Sequence, residues 1–484
     1  MNRVVIIGHG PAGHRLAERL RAGDGSARIT VLGAREEGPY NPALFTRAMT
    51  AGLPLEWMAL PGHDEDVLLH RSRATSIDRE NRVVRTADGA HHPYDRLVLA
   101  TGAGEHVPDL AGLRRADGAL DERVRSPRCP RDCLGLRAEL GPDTAVTVLG
   151  GGLLGVESAH ALAAAGHQVT LVHRGSRLMS RELDSAAAEI VAERLRATGV
   201  TVRLGEIPVE LSSGELSLRD IEPVRTDALL LCTGTRPNTE LAAAAGLDVA
   251  ADGIAVDESL RTADPRVYAL GDCARHPAVR RGTLETTWNQ ADALAGILLD
   301  SGRESHYHHV EVTRARGNGL EVTCLGPAEL LPDETPGIEH VTFHDRGRYR
   351  YARLALHGER LAAATLVGLE EAGAELTRLH ETGGPVPSNR LALLLGHERR
   401  ADTGAPPVTD KVLCHCNNVS ESTLTAAFHA GAEDVTALAA ATRATTGCGS
   451  CTDSVRRLCE ALSAAAPPEN SHERAFPAEE EDAA

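Results

Sequence analysis

The stretch VVIIGHGPAGHRL, residues 4–16, decides the fold. Four β-branched residues make a short strand that runs straight into G-x-G-x-x-G, and an amphipathic helix pattern opens immediately afterwards. The three glycines serve different ends. Gly8 permits a tight turn, Gly10 lets the backbone approach a pyrophosphate, and Gly13 lets helix and strand pack closely. The helix start adds free N–H groups and a positive dipole end suited to phosphates. Taken alone, the stretch also suits an ordinary strand-to-helix turn. Residues 146–158, VTVLGGGLLGVES, repeat the arrangement with Gly150, Gly152 and Gly155, and this second copy argues against the ordinary turn.

Outward from each copy lies a second strand pattern, ARITVLG at 27–33 and HQVTLVH at 167–173. Strands alternating with helices imply parallel, doubly wound sheets, so the fold class is α/β with two Rossmann-like domains. Two further strands end in small turns, RLVLATGAG (96–104) and ALLLCTGTRPN (228–238), and TADPRVYALGDCA (262–274) follows.

At 484 residues the chain is long enough for about three domains of ~150 residues and several cores. A formal charge of −17, only two tryptophans, six tyrosines and four phenylalanines, and no dense Lys/Arg stripe argue against nucleic acid as a partner. The apolar strand begins three residues after Met1, leaving no room for a charged leader, and no uncharged apolar run reaches ~18 residues. The expectation is a soluble cytoplasmic protein without a membrane partner. In that compartment clustered cysteines suit ligation or catalysis better than disulfides.

On these motifs the chain resembles the FAD- and NAD(P)-dependent pyridine-nucleotide oxidoreductases with two dinucleotide-binding domains. The resemblance implies that Gly8, Gly10, Pro11, Ala12, Gly13, Glu36, Thr101, Gly102, Gly271, Asp272 and Trp288 hold FAD. It likewise implies that Gly150, Gly152, Leu153, Leu154, Gly155, Glu157, His173, Arg174 and Gly234 hold NAD(P)H. The late Asp272 would bond the flavin ribityl chain, and the helix LETTWNQADALAG (284–296) would lie beside the flavin ring with Trp288 and Gln290. From spacing alone a core or surface Trp288 fits equally. The flavin domain is then discontinuous, 1–115 and 245–304, with the nicotinamide domain inserted at 116–244.

Departures from the family pattern are equally informative. Disulfide reductases of this kind carry a redox cysteine pair beside the flavin, yet no cysteine precedes Cys129, and between Gly150 and Gly234 only Cys232 occurs. Cys129 and Cys133, in SPRCPRDCLGL, read as structural, so disulfide reduction is not expected. LGAR places Arg35 where the family has an acidic ribose ligand, with Glu36 as its substitute. Pro42 stands where relatives commonly read YNR after Tyr40 and Asn41.

Four of the ten cysteines fall in LCHCNN and TTGCGSC: Cys414, Cys416, Cys448 and Cys451. By count alone such pairs could bind zinc, although zinc-ribbon pairs usually lie ~15–20 residues apart. Between the pairs, Val419 and Ser420 staple and cap a helix ending near Gly431, and DVTALAAATRA makes a second. A third begins at CTDSVRRLCEAL, whose positive end would lower thiolate pKa at Cys448 and Cys451. Segment 411–462 resembles the bacterioferritin-associated-ferredoxin-like 2Fe-2S domain, which implies that the four cysteines ligate such a cluster. Cys459 reads as a buried small hydrophobe.

The remaining pieces are a small α+β C-terminal domain at 305–395, a polar linker at 396–410 and an acidic disordered tail at 463–484. The whole arrangement resembles the N-terminal part of assimilatory NAD(P)H nitrite reductase large subunits and the electron-transfer subunits of assimilatory nitrate reductase. No sirohaem domain follows, which favours the second. The resemblance implies an NAD(P)H-dependent flavin and iron–sulfur reductase with a nitrate reductase catalytic subunit as redox partner. Reduction of a ferredoxin, of nitrite or of a small molecule, or a non-catalytic redox sensor, remain open, as does a homodimer. No general acid, base or nucleophile is singled out. His173, Arg174 and Arg177 at the end of the second nicotinamide strand predict a preference for NADPH.

Overall fold

The structure is a computed structural model that describes residues 3–465 apart from 24–26, 37, 52, 54, 61, 63–65, 142, 278–281, 300–310, 318, 334, 396–411, 415–418 and 446–450. The expected linker and acidic tail, and Cys416 and Cys448, fall almost wholly or wholly outside the described residues. The chain divides into a unit of residues 1–406 and a unit of residues 407–484.

Two five-stranded parallel sheets carry the first unit. One has the order Val267–Ala269, Arg96–Leu99, Arg3–Ile7, Arg28–Leu32, Val67–His70. The other has the order Thr201–Leu204, Gln168–His173, Ala145–Leu149, Ala228–Leu231, Val124–Arg125. In each, the strand before the glycine turn lies in the middle, and the strand order reverses beside it. That reversal opens a crevice outside the carboxyl ends of the strands, where ligands of doubly wound sheets bind. The first sheet takes its edge strand, Val267–Ala269, from beyond the whole second sheet, with Tyr268 paired to Val98. Near-continuous apolar strands such as Val4–Ile7 and Ala145–Leu149 are buried on both faces, as parallel sheets require.

A third, antiparallel sheet follows, in the order Val312–Gly317, Leu320–Leu325, Arg360–Val367, Arg350–His357, Glu339–Asp345. Helix Glu370–Thr382 packs on it through Ala372, Leu376 and Leu379. The sheet also meets two helices that flank the second parallel sheet: Val322, Tyr351 and Val367 share one core with Val156 and Ala159 of helix Leu153–Ala164 and with Ile190 and Leu195 of helix Ser185–Ala197. Tyr40, Phe45, Met49 and Met58 join the same core from the first half of the chain.

In the second unit Val412–Cys414 pairs antiparallel with Val419–Ser420, and helices Glu421–His429, Val435–Thr442 and Thr452–Ala465 follow. Ser420 caps the first helix by accepting the Thr423 N–H, and Asp434 caps the second by accepting the Ala437 N–H at 2.7 Å. The second helix ends on Arg443 in the left-handed region (φ 65) rather than on a glycine.

Candidate functional site

The two glycine turns are built alike, atom for atom. Gly8 (φ +118) donates its N–H to the Leu32 carbonyl at 2.9 Å, and Gly150 (φ +119) does the same to Val172 at 2.9 Å. A Cβ on Gly13 would lie 2.0 Å from the Gly8 oxygen, and one on Gly155 would lie 1.9 Å from the Gly150 oxygen. Helix and turn therefore touch with no space for a methyl group. Gly10 and Gly152 differ: a Cβ there meets nothing within 4 Å. Their backbone faces open space at a helix start, because the Gly10 and Gly152 carbonyls accept the first helical bonds from His14 and Val156. Pro11 and Ala12, and Leu153 and Leu154, form the first helical turns, with Glu157 one turn further in.

Around the first turn the structure gathers Gly271. Its N–H donates to the buried Gln290 Oε1 at 2.7 Å, and its Cβ position lies 3.3 Å from the Ala12 methyl. Asp272 follows it in a short 3-10 turn, Gly271–Cys273. Trp288 is buried, with the Arg15 guanidinium 5.6 Å from its ring centroid, and Arg15 is itself paired bidentately with Asp292. Trp288 thus sits in the packing between the first helix and helix Leu284–Leu299. Glu36 is exposed, and its carbonyl accepts from Arg71 at 3.1 Å.

Thr101 and Gly102, and Gly234 on the other sheet, come together in a way that their separate turns did not announce. Ala103–Glu105 and Thr235–Pro237 pair as an antiparallel ribbon. Thr101 Oγ1 donates to the Asn238 carbonyl at 2.8 Å, and Asn238 Nδ2 returns a bond to the Thr101 carbonyl at 2.8 Å. The His106 N–H closes on the Gly234 carbonyl at 3.0 Å.

Arg128 is the residue that sequence reading passed over. Its Nη2 donates to the Ala103 carbonyl at 3.2 Å, and its own carbonyl accepts the Tyr40 hydroxyl at 2.7 Å. Arg35 donates to the same hydroxyl at 2.5 Å, so the unexpected arginine is turned onto Tyr40. Only the arginine beside Cys129 could have drawn attention to this convergence, and pairing across 88 residues is not written locally.

At the end of the second fold's second strand, His173 Nδ1 accepts the Gly151 N–H at 3.1 Å. Burial, reinforced by Arg174, pushes its pKa below the usual imidazole range, so the ring is neutral at pH 7. Arg177 is engaged with Ser185 Oγ and the Ser180 carbonyl, and Arg174 is exposed. Both partners of Arg177 are neutral, so its charge stays in place, and the cationic edge here rests on Arg174 and Arg177.

None of the five thiols in the first unit suits thiolate chemistry. Burial pushes up Cys129, Cys133, Cys273 and Cys324, and raises Cys232 to about 12. In the second unit Cys414 and Cys451 are buried in one small core with Cys459. The Cys451 carbonyl accepts the Val455 N–H at 2.8 Å, so Cys451 caps the last helix and lies at its positive end. Cys414 and Cys451 buried in one small core, and two glycine turns open at helix starts, suit an iron–sulfur cluster and two dinucleotides. Among the described residues no helix is long and apolar enough to cross a membrane.

This geometry defines a protein of paired dinucleotide-binding folds with a separate cysteine-bearing helical unit, and comparison with known proteins agrees. Residues 2–292 match the pyridine nucleotide-disulphide oxidoreductase family model, and residues 412–461 match the BFD-like [2Fe-2S] binding domain. The chain belongs to the pyridine nucleotide-disulphide oxidoreductase family, as an NAD(P)H-dependent reductase using FAD and a 2Fe-2S cluster. It is 30% identical to the nitrite reductase [NAD(P)H] large subunit of Klebsiella oxytoca, over 94% of this chain and 48% of that one. It is 25% identical to the assimilatory nitrate reductase electron transfer subunit of Bacillus subtilis (strain 168), over 94% of this chain and 59% of that one. The chain thus spans about half the length of these relatives. The putidaredoxin reductase–putidaredoxin complex has the same fold, with a TM-score of 0.72, 25% identity, and coverage of 82% of this chain and 99% of that one.

Proposed function

We propose that the protein oxidises NAD(P)H and delivers the electrons one at a time to the catalytic subunit of an assimilatory nitrate reductase. The supporting observation is the likeness to an electron transfer subunit that runs through both dinucleotide folds and on through the cluster domain, over 94% of this chain. FAD supplies two-electron acceptance from a hydride donor with one-electron release, and a 2Fe-2S cluster supplies one-electron carriage. The chain's own part is to bind and to aim. The Gly8–Gly13 turn would hold the FAD pyrophosphate, with Glu36, Thr101, Gly102, Arg128, Gly271, Asp272 and Trp288 around the rest of the cofactor. The Gly150–Gly155 turn, with Leu153, Leu154, Glu157 and Gly234, would hold the coenzyme, and Arg174 would meet its adenosine end. Cys414, Cys416, Cys448 and Cys451 would ligate the cluster.

A second reading is favoured by the 30% identity to a nitrite reductase large subunit: the same electrons would serve nitrite reduction. Anaerobically purified protein should oxidise NAD(P)H with a one-electron dye, and then with the purified nitrate reductase catalytic subunit and nitrate. Turnover with the dye but none with that subunit, alongside turnover with a nitrite-reducing partner, would replace the first reading by the second. No dye turnover at all would count against both readings and favour a redox sensor.

A further inference from the structure

The two glycine folds differ at one matched pair of positions. Between Gly8 and Gly10 stands His9, and the first fold's second strand is followed by Gly33. Between Gly150 and Gly152 stands Gly151, and the second fold's second strand ends on His173. Registers make Gly33 and His173 equivalent, because Ile7 pairs with Leu32 as Leu149 pairs with Val172. Histidine and glycine have changed places. Each time the imidazole-bearing side chain fills the same gap: a Cβ on Gly33 would lie 2.8 Å from His9 Cβ, and one on Gly151 would lie 2.7 Å from His173 Cγ. Only one side chain fits, so a residue on the loop excludes one on the strand.

This gap lies between the phosphate turn and the end of the second strand. There a carboxylate ordinarily accepts hydrogen bonds from an adenosine ribose and repels a 2′-phosphate. In the first fold the nearest carboxylate is Glu36, beyond Ala34 and Arg35, whereas in the second the strand ends on His173 and Arg174 follows. His173 is held on two sides, by the Gly151 N–H at Nδ1 and by Gly175, whose Cβ position lies 2.7 Å from Nε2. Of the groups facing the ring, Arg174 opposes its protonation and a hydrogen bond with the Arg177 backbone favours it.

We propose that an imidazole wedge replaces the ribose carboxylate in the second fold: His173 is a positioning residue that keeps the coenzyme site open to NADPH as well as NADH, while in the first fold His9 fills the matching gap from the loop side. This rests on the NAD(P)H and FAD reading above. His173 ties the glycine turn to the loop that carries Arg174, and it adds no charge against the 2′-phosphate.

His173→Asp retains an acceptor for Gly151 but adds a charge, His173→Asn retains the acceptor alone, and His173→Leu removes it. Expected in steady-state kinetics with full-length holoprotein is an NADPH KM raised about tenfold over NADH in the Asp variant, with kcat little changed, and a near wild-type ratio in the Asn variant. The Leu variant should raise both KM values about fivefold, the factor one hydrogen bond supplies. An unaltered ratio in the Asp variant at wild-type flavin content overturns the proposal. If that variant does not fold, equal KM values in the Asn and Leu variants overturn it instead. Failure of wild-type protein to be reduced by either coenzyme would sink the underlying reading.

Discussion

Alanine substitutions three residues apart should separate packing from binding at the second glycine turn. Gly155→Ala sets a methyl carbon 1.9 Å from the Gly150 carbonyl oxygen, a backbone obstacle that cannot rotate away. Overpacking destabilises by about 1–3 kcal/mol, and with so short a contact the upper end applies. Alanine's helix propensity returns ~1 kcal/mol, leaving a net loss of about 2 kcal/mol. For a domain of this size that lowers Tm by about 4–8 °C. Gly152→Ala meets nothing within 4 Å, and its extended backbone (φ −81, ψ −175) suits alanine. Only the capping preference is lost, at most ~1 kcal/mol, so Tm should fall by no more than ~2–4 °C. Its methyl instead enters the space where a pyrophosphate meets the turn, and the KM for NAD(P)H should rise at least about tenfold, a ~1.4 kcal/mol effect. Calorimetry and stopped-flow flavin reduction read the two quantities separately. Equal Tm losses in the two variants, or an unchanged KM in Gly152→Ala, would refute the reasoning.

Cys451→Ser should abolish the visible absorbance and acid-labile sulfide of the cluster while NAD(P)H still bleaches the flavin; loss of both in a folded protein would contradict the order of electron flow. Arg174→Ala should lower kcat/KM for NADPH about tenfold and leave NADH nearly unaffected, since a charge-assisted contact is removed; an unchanged preference would exclude Arg174 from phosphate recognition. Burial works to raise the Asp292 pKa, but hydrogen bonds from Arg15 and Arg19 outweigh it and hold the carboxyl below its usual range. A depressed folded value means stability that is present above the unfolded pKa of ~3.9 and lost as pH falls through the folded one. Asp292→Asn should therefore destabilise at pH 7 by about 1–3 kcal/mol and flatten the acid limb of urea midpoints; an identical acid limb in both proteins would show that this pair is not involved.

Much of the fold was legible because its signals are local. Strand, turn and helix at residues 4–16 and 146–158 announce themselves by β-branching, glycine spacing and periodicity, and the caps at Ser420 and Asp434 are similarly short-range. Pairings that depend on residues far apart were not legible. Nothing in ATGAG or TGTRPN says that Pro237 will lie against Ala103, or that Gln290 will hold the Gly271 N–H. Arg174, Arg177 and His173 looked equivalent as cations. Burial of His173 and the side-chain bonds of Arg177 distinguish them, and both are tertiary facts. Likewise Trp288 fitted a flavin neighbour or a core residue by spacing, and its place against Arg15 appears only once two helices pack.

The ribbon of Ala103–Glu105 with Thr235–Pro237 makes the intervening stretch a closed loop whose two ends enter side by side. Paired Cα atoms in such a ribbon lie only ~4.5–5.5 Å apart, so residues 104–236 could be excised and the strands rejoined by a tight hairpin without stretching what remains. The flavin half would keep its hydrogen-bonded sheet after such surgery, yet it would expose the apolar side of Tyr40, Phe45 and Met49, whose packing partners include Val156 and Ala159. The insertion is easy to splice and hard to dispense with: a truncated flavin half should be connected in the native manner but prone to self-association through that uncovered face.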